Sequence, residues 1–193
     1  MGLHNLLTIA ILTVNGRESF LERLRGIIDT QVDGQPVQVT VLKDNRERTI
    51  GEKRQLALDV CKTPYIVFID DDDVVSNKYV QLILNELKSA PDGIGFRGII
   101  SSERSWPIEF VHKAGLKYSD RPIQYQKSFI YTRPLNHLNP VRTDIARQIG
   151  YVSLNMGEDY DYCKRLDESG LIKNAAFIDE FMYFYQYRGQ IKI

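Results

Sequence analysis

Four consecutive carboxylates, Asp70-Asp71-Asp72-Asp73, follow directly on the apolar run Tyr65-Ile66-Val67-Phe68-Ile69. Adjacent acids repel one another, and holding them together costs free energy unless cations or protons compensate. A divalent, oxygen-loving ion such as Mg2+ or Mn2+ is the natural compensator, and it leaves positions open for waters and a diphosphate. An extended backbone would send Asp70 and Asp72 to one side and Asp71 and Asp73 to the other. The competing reading is a solvated acidic loop that caps a helix starting at Asn77. The apolar run argues against it, because ligands of open α/β sheets bind beyond the carboxyl ends of the strands.

Two further clusters carry charge at the starts of helices. In Gly51-Glu52-Lys53-Arg54 the two cations fall in a first turn, where the helix end is already partly positive. A bound phosphate would reverse that penalty. Two solvent-facing cations offset by Glu52 would explain the motif equally well. Gly157-Glu158-Asp159-Tyr160-Asp161 offers a general base for an attacking hydroxyl, or simply an acidic helix start. Asn15, Arg17 and Asp44 each follow a strand-like run and read either as nucleotide contacts or as turn residues. His137, near Asn139-Pro140, is a possible metal ligand or a structural histidine. The late aromatics Phe181, Tyr183, Phe184, Tyr185 and Tyr187 fit strand packing better than a stacking platform.

The elements that must position these groups alternate. Strands are predicted at Leu6–Val14, Val37–Leu42 and Tyr65–Ile69, with helices at Ser19–Ile28, from the Thr49/Glu52 capping box to about Cys61, and at Asn77–Ser89. That order argues for a doubly wound parallel sheet. Beyond Gly93 the runs Ile94–Ile100, Glu109–Lys113, Ile123–Lys127 and Ser128–Thr132 read as shorter, partly antiparallel strands. Helices follow at Thr143–Ile149 and Glu158–Glu168, then a strand or pair of strands over Phe177–Tyr187. No linker separates two domains.

Composition narrows the class. The chain has 193 residues, 43% of them apolar and 26% charged, enough for one domain with a real core. Twenty-five basic and twenty-five acidic residues cancel, so no net positive charge draws in a nucleic acid. Cys61 and Cys163 form neither a disulfide framework nor a CxxC site and read as reduced, packed thiols. No apolar run is long enough to span a bilayer, and Leu6–Val14 lacks the marks of a signal peptide. A soluble, cytoplasmic protein is expected.

Taken in order, the motifs resemble the family 2 glycosyltransferases of the GT-A fold. The matching pieces are Ile11–Arg17, Asp44, Gly51-Glu52-Lys53-Arg54-Gln55, the DxD strand Tyr65–Asp73, Asn139-Pro140-Val141-Arg142, Ile149-Gly150-Tyr151 and Gly157–Asp161. The resemblance implies a single Rossmann-like α/β GT-A domain over 1–193. Its central sheet would be mostly parallel, with a smaller antiparallel C-terminal part. Residues 1–93 would form the nucleotide-binding half and residues 94–193 the acceptor-side half. It further implies that Thr13, Asn15, Arg17, Asp44, Lys53 and Arg54 contact the nucleotide, with Asp70 near the ribose and Asp71 beside it. Asp72 would hold Mn2+ or Mg2+, with Asp71 or Asp73 as substitutes. Asp159 would be the catalytic base, and Glu158 would position the acceptor. The implied reaction is inverting transfer from a nucleotide sugar, expected to be UDP-linked, to a hydroxyl.

The sequence departs from the family at two places. Gln55 stands where Asn is common, and Tyr185–Gly189 holds no late metal-binding His. Two other readings remain open. Phe68–Val74 also fits the strand-DxDxV pattern of haloacid-dehalogenase phosphohydrolases, with Asp70 as nucleophile. A non-catalytic nucleotide-binding relative is the other.

Overall fold

Alternation along two buried strands sets the architecture. In β1 (Leu7–Val14), Leu7, Ile9 and Ile11 face one core while Ala10 faces a second. In β3 (Tyr65–Asp70), Tyr65, Val67 and Ile69 share the first core, and Ile66 and Phe68 the second. Side chains of a strand point alternately to opposite faces, so apolar residues at every position mean a sheet covered on both sides. The computed structural model, which describes residues 5–102 and 105–186, has this form.

β1 lies between β2 (Val37–Asp44) and β3, parallel to both. The crossovers are α1 (Glu18–Val32) and α2 (Ile50–Val60). After β3 come the two-residue β4 (Val74–Val75), α3 (Tyr79–Leu87), β5 (Gly93–Ser102) and β6 (Ser105–His112). The chain continues through β7 (Ile123–Tyr125), β8 (Ser128–Arg133), β9 (Val141–Arg142), α4 (Thr143–Ile149), α5 (Glu158–Ser169) and β10 (Ala175–Gln186). The sheet order is β2-β1-β3-β9-β5-β6-β8-β7, with β10 beside β4 and β5. Leu24 and Ile28 of α1 and Ile83 of α3 fill one core. Leu58 of α2, Ile145 of α4 and Tyr162 of α5 fill the other.

The expected antiparallel part is present in the β5–β6 and β7–β8 pairs, but β8 runs parallel to β6 and β10 parallel to β5. The helix predicted from Asn77 begins at Tyr79, and β6 starts at Ser105, earlier than Glu109. β4 and β9 are too short to show a periodicity. Tyr187, predicted to end the last strand, lies outside the described residues. Among those residues no helix is long and apolar enough to cross a membrane.

The start of α2 is built tightly. Thr49 and Glu52 form the predicted capping box. Gly51 is required there, because a Cβ would sit 1.8 Å from the carbonyl oxygen of Val152. That clearance lets the 152–155 segment lie across the helix end.

Candidate functional site

The carboxyl ends of β1 and β3 open into a cleft of about 890 Å³. Thr13, Arg17, Lys53, Arg54, Asp70, Asp71, Asp72, Glu158 and Asp159 all line it. Asn15 and Asp44 do not. Asn15 is exposed and donates to the Asn45 side chain at 3.4 Å, and Asp44 is turned onto Lys53.

The acids do not alternate as an extended strand would. The Asp73 N–H donates to the Asp70 carbonyl at 3.1 Å, so the chain turns. The turn puts Asp71 and Asp72 on the same cation. Arg17 forks onto Asp71 at 2.5–3.0 Å and reaches Asp72 Oδ2 at 2.9 Å. Thr13 Oγ1 donates to Asp71 at 2.6 Å. Hydrogen bonding to Asp71 is the main reason the Arg17 pKa is raised. Asp73 folds inward and is fully buried, accepting from Tyr183 Oη at 2.7 Å and the Gln186 N–H at 2.9 Å. Burial, reinforced by the charge of Asp70, pushes its carboxyl up to about 8. The shift favours the protonated form, which relieves the crowding. Arg23 of α1, which carries no motif, donates to the Asp72 carbonyl at 2.6 Å.

Both cations of the α2 motif are buried, which corrects the reading of them as solvent-facing. Lys53 Nζ donates to the Thr13 carbonyl at 3.0 Å and to Asp44 at 2.9 Å. Burial opposes the Asp44 charge, but Lys53 and the Arg48 N–H hold its pKa below the usual range. Arg54 donates to Asp70 Oδ1 at 3.1 Å, lies 3.4 Å from Glu158, and has its guanidinium carbon 5.4 Å from the centre of the Phe68 ring. The N–H groups at the start of α2 are taken. Ile50 donates to Asn155, Gly51 to Leu154, Glu52 to Thr49 Oγ1 and Lys53 to the Thr49 carbonyl. No phosphate cradle is left at that helix end. Burial also opposes the charge of Asp70, yet Arg54 and His137 outweigh it and hold the carboxylate well below its ordinary pKa.

Across the cleft, Gly157 adopts φ +85° and starts α5. Glu158 is buried beside Arg54, Asp159 lines the cleft, and Asp161 is drawn away by Arg165 at 2.5 Å. The exposed Tyr160 packs edge-on against Tyr118, 4.8 Å between centroids.

Two histidines also line the cleft. His112 donates from Nδ1 to Asn139 Oδ1 at 3.0 Å, and burial followed by the charge of Arg133 pushes its pKa down to about 3. Nothing in the sequence around His112 marks it. His137 Nε2 lies 3.7 Å from Asp70 Oδ2, too far for a hydrogen bond. Its nearness to Asn139-Pro140 was the only signal in the sequence. Among the described residues, no group of three or more His, Cys, Asp or Glu side chains is arranged to hold a metal.

The model of glycosyl transferase family 2 matches residues 11–148. Among curated proteins no sequence match was found. Solved structures of S. aureus TarS superpose well. TarS 1–349 in complex with UDP-GlcNAc gives a TM-score of 0.65 at 14% identity, covering 96% of this chain and 60% of that one. Its complex with UDP gives 0.64 at 14% identity, covering 94% and 60%. This chain therefore spans about three fifths of TarS 1–349, and a likeness at that identity shows the fold alone.

Proposed function

The chain belongs to glycosyl transferase family 2, and from that premise we propose that it moves a sugar from a UDP-linked donor to an acceptor hydroxyl with inversion. The observation that carries this is one cleft with two acidic ends, Asp70–Asp72 with Arg17 on one side and Asp159 at the start of α5 on the other. The solved complexes of TarS with UDP-GlcNAc and UDP support the donor class. The family match leaves the phosphohydrolase alternative without support.

In this reading Thr13, Asn15, Arg17, Asp44, Lys53, Arg54 and Asp71 hold or shape the nucleotide side, with Asp70 near the ribose. Residues 1–93 form the donor half and 94–193 the acceptor half. The acceptor hydroxyl attacks the anomeric carbon as its bond to the diphosphate oxygen breaks. The leaving UDP takes the bonding electrons, and the hydroxyl proton passes to Asp159, oriented beside Glu158. A single displacement inverts the anomeric centre.

All four acids that could meet a Mn2+ or Mg2+ ion have partners: Arg54 for Asp70, Thr13 and Arg17 for Asp71, Arg17 for Asp72, and Tyr183 and Gln186 for Asp73. Asp72 is the more exposed partner of Arg17. One hard carboxylate suits an ion carried mainly by waters and a diphosphate, so Asp72 would hold it. When bound, the ion supplies positive charge to the departing diphosphate. The buried, free thiols Cys61 and Cys163 fit a cytoplasmic setting.

The test is a thermal-shift panel of UDP-, GDP- and dTDP-sugars with and without Mn2+, followed by transfer assays over a broad acceptor panel. Asp72→Ala abolishes metal-dependent donor binding. Asp159→Asn keeps binding and lowers transfer at least ~10²-fold. Undiminished transfer in Asp159→Asn removes the mechanism.

A further inference from the structure

Buried polar atoms are almost always hydrogen-bonded, and the exceptions point to something that completes them. His137 is 94% buried by side chain, yet neither ring nitrogen has a hydrogen-bond partner among the described residues. Arg54 beside it leaves Nε and one terminal nitrogen in the same condition. Both residues line the cleft, with Asp70 between them.

The topology says which part of a ligand would reach them. β3 has β1 on one side and β9 on the other. Thr13, Arg17, Asp71 and Asp72 gather on the β1 side. His137 is on the β9 side, where its carbonyl accepts the Phe68 N–H at 3.0 Å from the edge of β3. Glu158, next to Asp159, meets Arg54 there. With the diphosphate at Arg17 and Asp72, and a base at Asp159, the transferred sugar must lie between the two ends, over Asp70 and His137.

We propose that His137 is a specificity-determining residue that hydrogen-bonds a hydroxyl or amide of the transferred sugar. This rests on the donor reading above. A sugar hydroxyl is both donor and acceptor, so one such group can accept from His137 and donate to Asp70 across the 3.7 Å gap that the two side chains do not close themselves. The nucleotide and diphosphate make no contact with the ring. His137 thus acts on the difference between a UDP-sugar and UDP, and its buried nitrogens are left unsatisfied when no sugar is present.

The experiment is isothermal titration of UDP and of UDP-glucose, UDP-galactose and UDP-GlcNAc into the whole chain with Mn2+. Wild type is compared with His137→Phe, which keeps the ring's bulk, and with His137→Gln, which keeps polarity, so a folding defect in one leaves the other readable. The best UDP-sugar should bind His137→Phe about 3- to 10-fold more weakly, the usual worth of one hydrogen bond. UDP affinity should stay unchanged, and Tm should hold or rise because two unsatisfied buried nitrogens are gone. His137→Gln should fall between the two. Equal loss for UDP and UDP-sugar, no loss for either, or a wild type that binds UDP-sugars no better than UDP overturns the inference. A wild type that binds neither UDP nor any UDP-sugar overturns the donor reading first, and that result is separately visible.

Discussion

Arg17 and Arg54 make the same kind of contact in the same cleft, a guanidinium set between two carboxylates. Arg17 pairs with Asp71 and Asp72, and its side chain is 29% exposed. Arg54 pairs with Asp70 and Glu158 and is 3% exposed. Water reaches Arg17 and Asp72 and screens their pair, while Asp71 is buried beneath them with Thr13 as a second donor. In the second, Arg54 and Glu158 are shut away beside a partly exposed Asp70, and removing the arginine strands Glu158 in a medium that solvates it poorly. On the function proposed, Arg17 would trade a carboxylate for an incoming phosphate, and Arg54 would fix the floor of the cleft.

The largest test of this contrast is Arg54→Ala. It should cost about 3–5 kcal/mol of unfolding free energy, because Glu158 keeps a buried charge without its cation. Chemical denaturation measures it, and a loss under 1 kcal/mol would erase the distinction. The buried side should also show in acid. His112 has its pKa lowered from 6.5 to about 3 by burial and the charge of Arg133. Below pH 6.5 the unfolded chain takes up a proton that the folded chain refuses. Stability therefore drops as pH falls, by about 2 kcal/mol at pH 5, until the folded ring protonates near 3. His112→Gln, which cannot titrate, should lack this component in melts across pH 7 to 5. The smallest effect on folding is expected for Arg17→Ala, because water reaches Asp72 and Thr13 still donates to Asp71. Its signature is weaker UDP binding, and a variant that binds UDP normally would show that the rim cation does not trade.

The legible parts of the molecule were those whose cause is local. Tyr65–Ile69, followed by acids, marks a central strand and its ligand-bearing end from the residues alone, and Thr49 with Glu52 marks the start of α2. The fate of Lys53 and Arg54 was not legible. Helix position explains why a cation is unusual there, but the burial that absorbs both charges comes from Asp44, Asp70 and Glu158, distant in the chain. The turn at Asp70–Asp73 was missed for a similar reason. It depends on Tyr183 and Gln186 of β10, more than a hundred residues away, drawing Asp73 inward. His112 and Asn139 meet only because β6 and the segment before β9 are brought together by the fold. Their sequence neighbourhoods hold no periodic or charged pattern to announce it.

The missing side chain at Gly51 has a mechanical result. Because the 152–155 segment rests on the first turn of α2, the strand of loop leading to Asp159 and the helix carrying Lys53 and Arg54 share one mooring. Any drift of that loop is felt at both banks of the cleft together, because the Arg54–Glu158 pair ties α2 to α5 and the Ser153–Glu52 hydrogen bond ties the loop to α2.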